Sequence, residues 1–264
     1  DRMRAKWTKG LDFKIKDARK EEVEYLWFVG DFASYDPIIS ENTKRFARVL
    51  NKAGIDFGIL YDGERNSGND VRRVGEEGLF EMLVSKNIKV LEKAKFKKIV
   101  TTDPHTYHTL KNEYPEFGAK YEVYHYTEIL EKLLKEGKLQ IKNKLNYCVT
   151  YHDPCYLGRY NGIYEPPRNV LKMLGVRLIE MPKNRNLSPC CGAGGGRIWM
   201  EEMETEGERP AESRVKEAVA IGAEIFVIPG PKGFSMFSDA VKITGLENKL
   251  KVKDIIELVE EAIE

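Results

Sequence analysis

Tyr25-Leu26-Trp27-Phe28-Val29-Gly30 runs into Asp31, and Tyr147-Cys148-Val149-Thr150-Tyr151-His152 runs, through Asp153-Pro154, into Cys155. After Asp31 come thirty-four residues and then Asn66-Ser67-Gly68; after Cys155 come thirty-four residues and then Cys190-Cys191-Gly192. The match continues downstream. Lys97 to Thr102 reads as a strand entering Asp103-Pro104-His105-Thr106, and Glu224 to Pro229 reads as one entering Gly230-Pro231-Lys232-Gly233. Each half closes on an amphipathic helical stretch, Thr127 to Leu134 and Asp254 to Glu264. Self-similarity over such a span indicates two copies of one structural unit. The copies are assigned to residues 1–140 and 141–264, with the polar stretch Lys135 to Leu145 as the junction.

Within each copy, short β-branched and aromatic runs alternate with helix-period segments such as Ser40 to Asn51 and Glu77 to Glu92. The second carries Leu79, Phe80, Leu83, Ile88 and Leu91. Gly54 and Gly175 follow helical stretches and precede the strands Ile55 to Leu60 and Val176 to Met181, where a helix C-terminal glycine belongs. Strand–helix alternation with right-handed crossovers gives a parallel sheet covered on both faces. The fold class is therefore α/β, with two homologous Rossmann-like domains whose parallel sheets are related by the internal repeat. Function in such sheets collects beyond the carboxyl ends of the strands, where Asp31, Asp103, Cys155 and Gly230 are expected.

The chain has 264 residues, 43 Lys+Arg against 42 Asp+Glu and a formal net charge of +1, enough length for two cores. Interspersed charge without a basic stripe argues against a nucleic-acid partner. Apolar runs are too short for a membrane span, and no apolar leader opens the sequence, so a cytoplasmic location is expected. Lys and Glu dominate the charged 32% and Gln occurs once, at Gln140, a bias expected of a thermophile. The chain opens on Asp1 rather than Met, so it reads as a piece of a longer polypeptide as readily as a whole one.

All four cysteines, Cys148, Cys155, Cys190 and Cys191, lie in the second half, where clustering suggests metal or redox chemistry rather than a disulfide framework. Adjacent thiols point in different directions from one backbone and suit different atoms of a cluster. The run from Gly192 to Gly196 permits close approach and offers N–H groups to a negative ligand. Gly192 and Gly194 are candidate cofactor contacts, with Arg197 as a counter-charge and Arg159 in the same role. Cys148, inside a strand, reads as a core residue. Zinc is the lesser alternative, with His152 as the nearest fourth ligand. Inert inherited thiols are a third reading. Arg197 stands where a dinucleotide fingerprint wants its last glycine, which weighs against a phosphate loop. His105 and His108, with Asp31 and Asp103, form either an acid–base group or a solvated remnant; His125 reads as structural or exposed. Tyr160, Tyr164, Pro166, Pro167 and Trp199 read as packing around the pocket.

Thr150-Tyr151-His152-Asp153-Pro154-Cys155-Tyr156-Leu157-Gly158-Arg159 and Cys190-Cys191-Gly192-Ala193-Gly194-Gly195-Gly196-Arg197 resemble the cysteine-rich (CCG) domain of heterodisulfide reductase B and D subunits and related iron–sulfur oxidoreductases, over nearly the whole chain. The resemblance implies, in each copy, a cysteine, then Cys-Cys-Gly, then Cys-x-x-Cys, which hold a non-cubane [4Fe-4S] cluster that cleaves a disulfide. This sequence departs from that pattern. The first copy has Asp31, Asn66, Ser67, Asp103 and Thr106 at the ligand positions, oxygen and nitrogen groups of the wrong softness, so no cluster is expected there. The second keeps Cys155, Cys190 and Cys191 as metal ligands, while Gly230 and Gly233 replace the last pair. The resemblance implies an iron–sulfur oxidoreductase subunit acting in electron transfer or thiol–disulfide chemistry, alongside other subunits of a redox complex and a ferredoxin-type iron–sulfur protein. No catalytic residue is assigned. The alternative is a cofactor-free scaffold or regulatory subunit; removal of ligands by design is a further account of their loss.

Overall fold

The structure, a computed structural model, describes residues 3–200 and 207–264. Contacts divide the chain into two compact units, Asp1–Leu139 and Gln140–Glu264.

In the first unit the elements run β1 (Lys16–Asp17), β2 (Val23–Trp27), α1 (Asp31–Tyr35), α2 (Ile39–Lys52), β3 (Phe57–Ile59), α3 (Asn69–Arg73), α4 (Glu77–Leu91), β4 (Phe96–Thr101), α5 (Pro104–His108), β5 (Val123–His125) and α6 (Tyr126–Lys135). The sheet is parallel throughout, in the order β1-β3-β2-β4-β5. The second unit runs β6 (Cys148–Tyr151), α7 (Glu165–Leu174), β7 (Arg177–Leu178), α8 (Pro210–Ala220), β8 (Ile225–Ile228), α9 (Pro231–Ile243), β9 (Lys251–Asp254) and α10 (Ile255–Ile263). Its parallel sheet has the order β7-β6-β8-β9. The α/β, parallel-sheet, repeated architecture expected from the sequence is thus present, with the short edge strand β1 added to the first unit.

The central strands β2 and β6 are buried because helices cover both faces. In the first unit Trp27 packs edge-on to Phe46 of α2 at 5.0 Å and against Trp7 at 5.3 Å. Sequence and structure differ at the strand ends. The pairing of β2 stops at Trp27 rather than Gly30, and that of β7 covers only Arg177–Leu178 instead of Val176 to Met181. Phe28 and Val29 beyond β2 and Met181 beyond β7 are apolar because they too are buried, which a strand pattern does not distinguish. In α4 the buried stripe is Phe80, Val84, Asn87 and Leu91, while Leu79 is exposed. The polar Asn87 belongs to that stripe because its side chain donates to the carbonyl of Asn66 at 2.9 Å and accepts from the Arg65 N–H at 2.9 Å.

The direction in which the chain progresses across the sheet reverses between β2 and β4, and again between β6 and β8. This is the topological switch point at which a parallel sheet opens a crevice. The loops after these strands carry Asp31 and Asp103 in one unit and Cys155 and Gly230 in the other. Among the described residues no helix is long and apolar enough to cross a membrane.

Candidate metal centre

In the second unit β6 delivers His152, Asp153 and Pro154, and the chain turns at Cys155. Asp153, just before that turn, is anchored on both sides. Its carboxylate accepts two hydrogen bonds from the buried Arg168 of α7, at 2.7 and 2.8 Å, and a third from the Arg185 N–H at 2.7 Å. Arg168 also reaches Glu180 at 2.6 and 3.0 Å, and the two carboxylates hold its guanidinium charged against the cost of burial. Arg159 donates to the carbonyl of Ser188 at 3.0 Å, tying the Cys155 turn to the loop that carries the other two thiols.

The thiols of Cys155, Cys190 and Cys191 lie close enough to shift one another's ionisation. The Gly192 N–H donates to Cys190 Sγ at 3.3 Å. Cys190 is exposed, Cys155 half-buried and Cys191 buried. The neighbouring thiols, with the Gly192 N–H, push the Cys190 thiol far down, whereas the proximity of Cys190 and then burial push Cys155 and Cys191 up. Cys190 is therefore the first of the three to ionise. The Gly192 N–H aimed at sulfur, with Arg159 adding positive charge near Cys155, forms a site for a negatively charged thiolate group. The residues fit a soft, multi-atom centre in donor chemistry, because thiolates are the ligands iron–sulfur clusters take.

Beside Cys190 opens a cavity of about 590 Å³ lined by Gly192, Gly194, Arg197, Met200, Arg209 and Met236, among others. Gly192 sits at φ +86°, and Gly195 and Gly196 are also left-handed, as the tight glycine turn requires. Arg197 is exposed on the cavity wall. Gly230 and Gly233 bring no ligand, and a Cβ at Gly233 would stand 3.0 Å from Ile228 Cγ2. Cys148 is buried, with its thiol 3.4 Å from the carbonyl of Gly222. Tyr164 packs on Gly158, but Tyr160 and Trp199, expected to pack, are 62% and 59% exposed. Among the described residues no group of three or more His, Cys, Asp or Glu side chains is arranged to hold a single metal ion. His152 is enclosed by Phe226 and Phe237.

The first unit repeats this geometry in other atoms. Asn66 Oδ1 accepts from the Gly68 N–H at 2.7 Å, as Cys190 Sγ accepts from Gly192, and Asn66 Nδ2 donates to Asp31 Oδ2 at 2.7 Å where Cys190 meets Cys155. Ser67 Oγ lies 3.2 Å from Thr106 Oγ1, which donates to Asp103 Oδ2 at 2.9 Å; Asp103 also accepts from His105 Nδ1 at 3.0 Å and caps α5. Two residues that sequence reasoning missed complete the network. Arg4 pairs with Asp31 and, at 2.9 Å, with the buried Glu64, whose carboxylate takes the N–H groups of Val29 and Gly30 at 2.9 and 2.8 Å. His108 stands apart at its edge, 3.9 Å from Glu113. His125, read as structural or exposed, is fully buried; its Nδ1 lies 2.8 Å from Thr127 Oγ1 in a capping box. Arg4 and Glu64 carry no motif, since both belong to the tertiary network alone.

Two parallel α/β units, one with a thiol-bearing loop at its switch point, define a tandem α/β module with cysteines in its second copy. The family model described as "Cysteine-rich domain" (CCG) matches residues 25–111 and again 149–237. The chain belongs to this cysteine-rich CCG domain family. It is 46% identical to the probable iron-sulfur-binding oxidoreductase FadF of Bacillus subtilis, over 94% of this chain and 36% of that protein. It is 42% identical to the EtfAB:quinone oxidoreductase of Syntrophomonas wolfei, over 92% and 35%. With a subunit of the dihydromethanophenazine:CoB–CoM heterodisulfide reductase of Methanosarcina barkeri it shares 33% identity over 96% and 61%. The chain thus spans about a third of the two bacterial relatives.

Proposed function

We infer that this chain is the cysteine-rich part of an iron–sulfur oxidoreductase, with a cluster of the [4Fe-4S] kind held in the second unit by Cys155, Cys190 and Cys191. Its task is electron transfer or thiol–disulfide chemistry within a redox complex. The observation that carries this reading is the gathering of three thiols at the switch point, with the Gly192 N–H donating to Cys190 Sγ at 3.3 Å. The names of the relatives support the redox role and the company of other subunits, and a ferredoxin-type iron–sulfur protein is the proposed electron donor among them. The cluster supplies the one-electron chemistry when bound. The protein's own residues do the rest. Cys190 offers the readiest thiolate, Asp153 and Arg168 hold the Cys155 turn in place, and Arg159 with the Gly192 N–H offsets negative charge. Gly192 and Gly194 leave the backbone close to the centre, and Arg197 presents a cation to an anionic ligand in the adjoining cavity. The first unit carries no cluster in this reading, because its ligand-position side chains are spent on one another.

That internally satisfied network favours one competing reading, a cofactor-free scaffold. Purification without oxygen, followed by iron and acid-labile sulfide analysis and a visible spectrum, separates the two. Near-stoichiometric iron and sulfide that disappear in Cys155→Ser are expected; a colourless, metal-free, folded chain after reconstitution with iron and sulfide would establish the scaffold.

A further inference from the structure

An exposed aromatic residue of the second unit is tied to the thiol loop twice over. The Tyr160 N–H donates to the Cys155 carbonyl at 3.0 Å. The Tyr160 ring stacks on that of Tyr156, the residue next to Cys155, with centroids 5.1 Å apart and planes 26° from parallel. Tyr156 is buried, whereas most of the Tyr160 side chain faces solvent. A second loop is fastened beside this one, by Arg159 donating to the Ser188 carbonyl at 3.0 Å and the Arg185 N–H donating to Asp153 at 2.7 Å. That loop presents Leu187, which is also largely exposed. Two exposed cations belong to the same pair of loops, Arg159 and Lys183, and neither has a carboxylate partner among the described residues; the exposed Glu165 is paired with Arg185 at 2.9 Å. Exposed aromatic and aliphatic groups on fixed loops, flanked by uncompensated positive charge, have the make-up of a protein-docking face, and the charge selects an acidic partner.

This deepens the redox-complex reading above and rests on it: we propose that the loops around Tyr160 are the docking face for an acidic electron-carrier protein, and that Tyr160 is a positioning residue for electron entry. One electron passes from the reduced carrier to the centre, oxidising the first and reducing the second, with no bond or proton exchanged. The stacked Tyr156 ring and the hydrogen bond to the Cys155 carbonyl give that electron a short, closely packed route from the surface to a ligand of the centre.

A small acidic ferredoxin is the probe and a basic c-type cytochrome the control, each titrated calorimetrically at low salt into the full chain, both cluster-free and reconstituted. The ferredoxin is expected to bind and the cytochrome not. Tyr160→Ala and Lys183→Glu should each weaken ferredoxin binding about tenfold, and Tyr160→Phe should not. Ile243→Ala should also leave it unchanged, because Ile243, although exposed, ends α9 at the opposite edge of the sheet. In reconstituted chain saturated with reduced ferredoxin, Tyr160→Ala should slow reduction of the centre while its reduction by dithionite keeps the wild-type rate, a distinction that a merely structural role would not produce. Absence of ferredoxin binding, equal binding of the cytochrome, or binding that Tyr160→Ala and Lys183→Glu leave intact overturns the proposal. So does a dimer of the chain alone, seen by sedimentation velocity, that Tyr160→Ala dissociates, since the face then belongs to a second copy. If reconstituted wild type holds no iron, the cluster reading falls and the electron route with it, while titration of the cluster-free chain still decides the docking face.

Discussion

Replacing Arg4 by alanine tests whether the first unit is held by the charge network that occupies its ligand positions. Arg4 and Glu64 are 7% and 2% exposed at their side chains, so the pair is shielded from water. Burial pushes the Glu64 carboxyl up, and Arg4 is the largest influence opposing it. Removing one partner of such a pair leaves the other charged and buried, at a cost of about 3–5 kcal/mol. For a unit of this size that corresponds to a fall in melting temperature of roughly 10–15 °C. Tryptophan fluorescence follows the first unit selectively, since Trp7 and Trp27 are buried there while Trp199, in the second, is exposed. The deficit must depend on pH with a definite sign. Without Arg4 the folded-state pKa of Glu64 rises further above its unfolded value, so the variant gains relative stability below the ordinary carboxylate pKa and loses it as pH rises through the folded value. Arg4→Ala should therefore be less harmful at pH 5 than at pH 8, and adding Glu64→Gln should recover most of the loss at pH 8. A shift of less than 2 °C, roughly the effect of an ordinary surface change, or a double variant no better than the single one, would refute the reasoning.

Three further outcomes are expected. Gly68→Ala should destabilise the first unit by about 2–4 kcal/mol, because its Cβ would fall 2.5 Å from Phe80 at φ +94°, whereas Gly192→Ala, with Met236 Cε at 3.6 Å, should cost the second unit only the backbone share of about 1–2 kcal/mol; urea midpoints followed by circular dichroism separate them. His125 is buried with its pKa brought down to about 3 by desolvation, so its contribution is complete above the ordinary histidine pKa and is lost as pH falls from about 6.5 toward 3; His125→Asn, which keeps the cap, should flatten the acid limb of a urea-midpoint profile. Arg168→Met should leave Asp153 unpaired, lowering stability by about 3–5 kcal/mol and cluster retention with it, as read by iron content after gel filtration.

The repeat, the parallel α/β fold and the switch-point loops were legible in the sequence because they depend on local pattern: strand runs, helix period and fixed spacings to Asp31 and Cys155. The three candidate thiols were legible for the same reason, as cysteines adjacent in sequence or displaced by a repeat length. Their unequal ionisation was not, since it arises from the spatial placing of Cys190 between the other two thiols and beside the Gly192 N–H. Nor were Arg4 and Glu64, Asn87, or the Asp153–Arg168–Glu180 group, which are brought together across long stretches of chain and carry no motif. Linear pattern was enough to set the framework and the softness of each ligand set. Packing across the fold was needed to show that the first set is satisfied internally, while the second leaves sulfur beside a cavity. Hydrogen-bond satisfaction depends on distances in space, and no spacing along the chain records them.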